Sequence, residues 1–234
     1  MDLDPNSLID ITKVDSQSLH HSSGVYIGGG IILTVAHVAY LITDTLNEGF
    51  EPNSVFYFKF GSGLSDAPDY SIQINGDRAG DRFINGRDRF HGFHSPTISA
   101  DIAVVDLSRG GPINSGDAAF MRSIQGPSMV IFSNPNDADG LNISLFGYPG
   151  ITKDGTTLCQ SNGVITGHGS TLASLAGETL MTFSASISSE DGFSGGPVFA
   201  TLDPDGDGIS SNYLLALDTR RRDHLASHRR RGIL

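Results

Sequence analysis

The segment Gly192-Phe193-Ser194-Gly195-Gly196-Pro197 sets a serine in a glycine-rich turn, directly ahead of the apolar run 198–200. Glycines on both sides of a serine allow the backbone to bend sharply and to turn two N–H groups toward one point. A nucleophile of acyl transfer needs such donors, because they stabilise the negative oxygen of the tetrahedral intermediate. The segment also fits the G-x-S-x-G pattern of the nucleophile elbow in α/β-hydrolases.

Two segments far from this serine supply the other residue types that acyl transfer requires. His37 ends the β-type run 33–36, and Asp101 opens the apolar run 102–105. A histidine can take the proton of a serine, and an aspartate can orient that histidine. His37, Asp101 and Ser194 are therefore a candidate catalytic triad.

The chain order of the triad separates three families of hydrolase. An α/β-hydrolase has its aspartate and histidine after the serine, in alternating strands and helices, whereas only 40 residues follow Ser194. Subtilisin-type enzymes have the order Asp, His, Ser. The order here is His37, Asp101, Ser194, which excludes both.

Short β-type runs, separated by clusters of Gly, Pro, Asn and Asp, cover most of the chain. This pattern predicts an all-β sandwich or barrel, with helical periodicity only for one or two turns after His37. Residues 108–117 are predicted to connect two β halves. The predicted strands are 24–27, 31–35, 55–60, 70–74, 102–107, 128–132, 142–146, 163–166, 180–185, 197–200 and 213–217.

The three segments together resemble the chymotrypsin-like (trypsin-fold) serine endopeptidases. Thr34-Val35-Ala36-His37 is similar to the family's T-A-A-H, Asp101-Ile102-Ala103-Val104 to its D-I-A-L, and the Ser194 turn to its G-D-S-G-G-P. A closer likeness is to the bacterial glutamyl-endopeptidase (V8-like) branch. That likeness extends over 23–28, 146–150 and 163–166.

The resemblance implies two six-stranded antiparallel β-barrels with the active site in the cleft between them. The first barrel is expected over 22–112 and the second over 113–219, where it is incomplete at its C-terminal end. Residues 1–21 are expected to be an N-terminal extension. Residues 220–234 are expected to be a basic, disordered tail, either a truncated or frame-shifted end or an arm for an acidic partner or a membrane.

The resemblance also implies serine endopeptidase activity on proteins or peptides, through an acyl-enzyme intermediate and without a catalytic cofactor. His37 is then the general base, Asp101 orients it, and the N–H groups of Gly192 and Ser194 form the oxyanion hole. The missing C-terminal elements leave one alternative open, a catalytically inactive trypsin-fold binding module. Phe193 replaces the aspartate of trypsin-type zymogen activation, so that kind of activation is not expected.

The expected substrate pocket contains Ser188 and Asp218. Ser188 lies six residues before Ser194, at the base of the family's pocket, and suggests no fixed charge there. Asp218 aligns with the histidine through which glutamyl enzymes recognise their substrate. Because a carboxylate repels glutamate, a preference for glutamate is not expected.

An acidic segment follows the serine turn. Asp203, Asp205 and Asp207 match the D-x-D-x-D-G start of a calcium loop, but Leu214 stands where an EF-hand has its bidentate acid, so an EF-hand is excluded. Two interpretations stay open, a structural calcium site and an acidic hairpin loop.

Composition limits the partners. The chain of 234 residues has 15 basic and 26 acidic residues, and six of the arginines lie in 220–234. Residues 1–219 therefore carry nine basic and 25 acidic groups, a charge that repels phosphate and argues against nucleic-acid binding.

Hydropathy and cysteine content limit the class of protein. The chain has no uninterrupted run of 18 apolar residues, so no membrane-spanning helix is predicted. Residues 1–5 lack the pattern of a signal peptide. The single Cys159 excludes a disulfide framework. We expect a monomer that works outside a bacterial cell, secreted or extracytoplasmic, without nucleic-acid or membrane partners.

Overall fold

The computed structural model describes residues 3–14, 19–35, 55–61, 70–75, 83–85, 103–108, 114–130, 132, 134–150, 155–173 and 178–219. Within these ranges the chain forms twelve strands, one α-helix and two short 3-10 turns, Pro5–Ser7 and Pro135–Ala138. The strands form two sheets in which every neighbouring pair is antiparallel.

The first sheet has seven strands in the order β5-β4-β1-β2-β3-β7-β6. They are β1 (Leu8–Val14), β2 (Leu19–Gly28), β3 (Ile31–Thr34), β4 (Val55–Phe60), β5 (Tyr70–Asn75), β6 (Phe83–Asn85) and β7 (Ala103–Asp106).

The second sheet has five strands in the order β10-β9-β8-β11-β12. They are β8 (Asn142–Gly147), β9 (Cys159–Ala173), β10 (Glu178–Ser186), β11 (Pro197–Leu202) and β12 (Ser211–Leu217). The all-β prediction with two antiparallel halves is confirmed. Within the described ranges, however, the halves have seven and five strands rather than six each.

Strand periodicity explains the core of the first sheet. Along β4 every second side chain is buried, which places Phe56, Phe58 and Phe60 on one face. Ile9 and Ile11 of the neighbouring β1 pack into the same cluster. Each fully buried side chain of this size contributes roughly 1.5–3 kcal/mol to stability.

Residues 8–14, which the sequence analysis placed in an extension ahead of the first barrel, form a central strand of the first sheet. Strand β1 pairs with β2 on one side and β4 on the other. Ile9 and Ile11 fill the core on one face, while the buried Leu8 and Asp10 lie on the other face. Lys59 donates to Asp10 at 3.2 Å, so the buried carboxylate is paired.

The helix α1 (Ser115–Ser123) stands where the sequence suggested only a connection. Asn114 caps it, because its side-chain oxygen accepts from the N–H of Asp117 at 2.8 Å. Met121 and Phe120 pack onto the core of the first sheet. Among the described residues of the predicted strand at 128–132, there is a single bridge, between Met129 and Leu214.

A small apolar cluster joins the two sheets. Leu8 and Val25 come from the first sheet, and Phe199 and Leu214 come from the second. This cluster fixes β2 against β11, which follows the serine turn. None of the described helices is long and apolar enough to cross a membrane.

Candidate active site

Residues 187–196 link β10 to β11, and we call residues 190–196 the serine turn. The N–H of Phe193 donates to the carbonyl of Glu190 at 3.1 Å, which closes a four-residue turn. Its third residue, Gly192, has a φ of 103°. A positive φ at the third position is typical of a type II β-turn and favours glycine there.

Hydrogen bonds orient the two amides that the sequence analysis assigned to an oxyanion hole. The carbonyl of Asp191 accepts from Gly150 N–H at 3.0 Å, and the carbonyl of Phe193 accepts from Gly196 N–H at 2.7 Å. Because a trans peptide has its C=O and N–H on opposite sides, the N–H groups of Gly192 and Ser194 point away from these acceptors.

The glycines after the serine are required by close packing. A Cβ on Gly195 would lie within 3.0 Å of both the Thr34 hydroxyl and the Ser23 carbonyl, and Gly195 has a φ of 81°. A Cβ on Gly196 would lie within 3.0 Å of the Phe146 carbonyl. Any larger side chain would push the turn away from both sheets.

Strand β2 holds the serine turn from the first sheet. The N–H of Ser23 donates to the carbonyl of Ser194 at 2.9 Å, and the Ser23 hydroxyl donates to the carbonyl of Gly192 at 2.6 Å. The Ser23 carbonyl in turn accepts from the Thr34 hydroxyl at 2.8 Å. The candidate nucleophile is therefore bonded directly to the first half of the molecule.

Tyr148, the residue after β8, ties the second half of the molecule to the first sheet beside the turn. Its N–H donates to the Ser23 hydroxyl at 3.0 Å, and its hydroxyl donates to the Leu8 carbonyl at 3.4 Å. Burial raises the pKa of the Tyr148 phenol far above its usual range, and the negative charge of Asp10 raises that pKa further. The phenol thus stays neutral in its buried place.

Phe193 is buried beneath the turn, with 4% of its surface exposed. A Cβ on Gly147 would lie within 3.0 Å of the Phe193 ring, so the ring fills the space that this glycine leaves open. The side chain at this position anchors the turn through apolar packing.

Strands β3 and β7 each include part of a motif that contains a predicted triad member. Thr34 ends β3 and pairs with Ala103, which begins β7, so the chain leaves β3 and enters β7 at the same edge of the sheet. The Thr34 hydroxyl borders Gly195 of the serine turn. His37 and Asp101 lie outside the described residues, and their roles stay predictions.

Asp218 lies beside the serine turn. Its N–H donates to the Gly196 carbonyl at 2.9 Å, and its carbonyl accepts from Gly195 N–H at 2.8 Å. Its carboxylate accepts from the Ser189 hydroxyl at 2.5 Å. Ser188, the other predicted pocket residue, is exposed. The structure thus brings Asp218 into contact with Gly195 and Gly196, next to Ser194, whereas Ser188 is exposed to solvent.

Sequence reasoning missed three residues of this site, Ser23, Tyr148 and Ser189. None of these three residues carries a local signal in the sequence, and the burial of Ser23, which is 1% exposed, is known only from the structure. A buried hydroxyl needs a partner, and its partner lies 169 residues away in the sequence.

The acidic segment forms the exposed loop between β11 and β12. One carboxylate oxygen from each of Asp203, Asp205 and Asp207 lies within 4.8 Å of the others. Gly208 N–H donates to the Asp203 carboxylate at 2.9 Å, and Ile209 N–H donates to the Asp207 carboxylate at 2.7 Å. These carboxylates therefore also accept hydrogen bonds from within the loop. Both interpretations from the sequence are compatible with this geometry. The predicted tail 220–234 lies outside the described residues.

Comparison with known proteins decides the family. The family model of the trypsin-like peptidase domain matches residues 22–204. This chain belongs to the trypsin-like peptidase domain family. The two antiparallel sheets are the two halves of this trypsin-like fold, with the serine turn between them. No curated protein matches the chain.

Several solved protease structures share the fold of this trypsin-like domain. The thermostable serine protease AL20 from an extremophilic microorganism is 16% identical, with a TM-score of 0.55 over 84% of this chain and 79% of that one. The inactivated scabies mite protease paralogue S-I1 is 14% identical, with a TM-score of 0.51 over 92% of each chain. At these identities the similarity concerns the fold.

Proposed function

We propose that this trypsin-like domain is a serine endopeptidase that hydrolyses peptide bonds through an acyl-enzyme intermediate, with Ser194 as nucleophile. The observation that carries the proposal is the serine turn. Its positive φ at Gly192 and its bonds to Gly150 and Gly196 hold two amides in fixed orientations next to Ser194. Fixed amide donors at a developing oxyanion contribute roughly 3–4 kcal/mol each to catalysis.

In the proposed reaction His37 takes the proton of the Ser194 hydroxyl while that oxygen bonds to the substrate carbonyl carbon. His37 then gives the proton to the leaving amine as the C–N bond breaks, which leaves an ester on Ser194. Water repeats the two steps and releases the acid. Asp101 orients His37. All groups in this scheme come from the protein, so we propose no catalytic cofactor.

The described strands support this assignment of His37 and Asp101. His37 is separated from Thr34 by two residues, and Asp101 is separated from Ala103 by one. Thr34 and Ala103 are paired at one edge of the first sheet, and Thr34 borders the serine turn. The described residues of the two motifs, Thr34 and Ala103, are therefore neighbours, and Thr34 lies beside the serine turn.

Substrate preference is proposed to depend on Asp218. The residue whose carbonyl is attacked must place its side chain near Ser194. The Asp218 backbone is bonded to Gly195 and Gly196, and its carboxylate accepts from the Ser189 hydroxyl. A negative group disfavours an acidic side chain and favours a cationic one. The likeness to the glutamyl-endopeptidase branch therefore stays a prediction about ancestry, without its preference for glutamate.

Covalent labelling tests the proposal. A serine-directed fluorophosphonate should label the wild type and the matched control Ser210→Ala, whose serine is exposed beyond the acidic loop. It should not label Ser194→Ala. If the folded wild type resists the reagent as completely as Ser194→Ala, the chain is not a serine hydrolase and the binding-module alternative replaces the proposal.

A further inference from the structure

The hydroxyl of Ser23 lies between two segments of the second half. It donates to the carbonyl of Gly192 at 2.6 Å and accepts from the N–H of Tyr148 at 3.0 Å. Ser23 is 1% exposed, so these bonds are shielded from water.

The two segments that Ser23 joins both control the orientation of the turn. The Gly192 carbonyl belongs to the peptide whose N–H, on Phe193, closes the turn onto Glu190. Tyr148 is two residues from Gly150, whose N–H holds the Asp191 carbonyl. The hydroxyl therefore holds the Gly192–Phe193 peptide directly. Through Tyr148 it also supports Gly150, which holds the preceding Asp191–Gly192 peptide.

The turn needs this support because its central residue is glycine. Glycine populates positive and negative φ about equally, so Gly192 can also adopt the conformation in which the central peptide is flipped. In the flipped turn the Gly192 N–H points in the opposite direction. Bonds from outside the turn must select between the two forms. Gly150 N–H holds the carbonyl of the peptide that flips, and the Ser23 hydroxyl supports that bond through Tyr148 while it holds the next peptide at the Gly192 carbonyl.

We infer that Ser23 is a positioning residue for the oxyanion site, which holds the serine turn in the form that presents the Gly192 N–H to substrate. This inference rests on the proposed endopeptidase function. Ser23 has no direct contact with the reacting atoms in this assignment; it acts through the Gly192 carbonyl. Its loss should therefore weaken binding of the transition state more than binding of the substrate.

The experiment compares Ser23→Ala with Ser22→Ala. Ser22 is the matched control, because it is a buried serine on the same strand whose hydroxyl donates to the Ile11 carbonyl at 3.2 Å, away from the turn. The readouts are kcat, KM, and inhibition by a peptide boronate, whose tetrahedral adduct places an oxygen at the oxyanion site.

For Ser23→Ala we expect kcat to fall by about 10- to 100-fold, with KM changed less than about threefold. Affinity for the boronate should fall by the same factor as kcat/KM. Ser22→Ala should keep kcat within about threefold of the wild type. Ser23→Cys, which keeps a weaker donor of similar size, should give an intermediate kcat and covers the case in which Ser23→Ala does not fold.

Two results would overturn the inference while leaving the endopeptidase proposal intact. One is a wild-type kcat in folded Ser23→Ala or Ser23→Cys. The other is an equal loss in Ser22→Ala, which would indicate a general effect of the strand. A wild type that neither cleaves peptide nor reacts with fluorophosphonate would instead refute the proposed function, and the inference with it.

Discussion

The N–H of Ser23 donates to the carbonyl oxygen of Ser194 at 2.9 Å, and this bond ties the candidate nucleophile to a strand of the other sheet. The cluster of Leu8, Val25, Phe199 and Leu214 packs β1 and β2 against β11 and β12 of the second sheet. Packing and hydrogen bonding thus act on the same contact between halves. The geometry of the site depends on this contact, and its consequences can be measured.

The triad should behave as one unit. Ser194→Ala and His37→Ala should each lower kcat by roughly 10⁴- to 10⁶-fold, and the double variant should lose no more than either. Activity of the wild type should rise with pH through a midpoint of about 6.5 to 7, because only a neutral histidine accepts the serine proton. Losses that multiply in the double variant would show that the two residues act independently.

Gly195→Ala should destabilise the fold strongly, because the new Cβ meets the Ser23 carbonyl and the Thr34 hydroxyl within 3.0 Å. We expect a loss of about 3 kcal/mol or more in urea unfolding. Gly206→Ala is the matched control, since Gly206 has a similar φ of 71° but no atom within 4 Å of the new Cβ. That variant should lose only about 1–2 kcal/mol, the cost of the left-handed backbone alone. Equal losses would mean that backbone strain, not the packing of the turn, governs position 195.

Asp218 should set the charge preference of the pocket. Matched peptides with arginine, its neutral isostere citrulline, or glutamate before the cleaved bond should be hydrolysed in that order of kcat/KM. The ratio of arginine to citrulline should be about 10²-fold in the wild type and should collapse in Asp218→Asn. Asp137→Asn, at an exposed carboxylate outside the site, should keep the wild-type ratio. A preference for glutamate would contradict the proposed role of Asp218.

Calcium should stabilise the acidic loop if the carboxylates of Asp203, Asp205 and Asp207 share a cation, since three close negative groups repel one another without it. The thermal midpoint of the wild type should then be higher in millimolar calcium than in chelator, and Asp205→Ala should lose this difference. Asp137→Asn again serves as the control. Equal midpoints in all conditions would leave the hairpin-loop interpretation alone.

Tyr70 should make stability sensitive to alkaline pH. Burial, followed by the hydrogen bond and the negative charge of Asp117, raises the pKa of Tyr70 from 10.0 to about 12. Stability from a raised pKa is fully present below the unfolded value near 10 and is lost as the pH rises through about 12. Urea unfolding of Tyr70→Phe and wild type should therefore differ most below pH 10 and converge toward pH 12. A difference that stays constant over this range would contradict the shift.

Local patterns were sufficient to predict much of this fold. A β-type run gave β4 at 55–60 with its observed bounds, and turn residues gave the start of β11 at Pro197, although the strand continues to Leu202 rather than ending at 200. Strand β1 was missed because its buried Asp10 and Lys13 look like surface residues until their partners in other strands are known. The helix α1 was missed because the Asn114 cap also fits a turn, and only packing of Met121 onto the sheet selects the helix.

The sequence predicted the site only where residues adjacent in the chain form the chemical pattern. Ser194 and its glycines could be identified because the turn itself demands them, and Gly192 and Gly195 do have positive φ. The role of Ser23 could not be predicted, since a serine in a strand acquires a function only through a partner far along the chain. The same holds for Ser189, whose contact with Asp218 depends on how β12 ends beside the turn.

The distance of 169 residues between Ser23 and Gly192 has a consequence for the timing of activity during synthesis. A ribosome completes the first sheet long before it adds the serine, and a nascent chain that stops short of β11 has no second anchor for the turn. Bonds of such long range close late in folding, because a large loop of chain must first be ordered. A growing chain therefore holds the Gly192 N–H in place only after β11 has been added and has packed against β2.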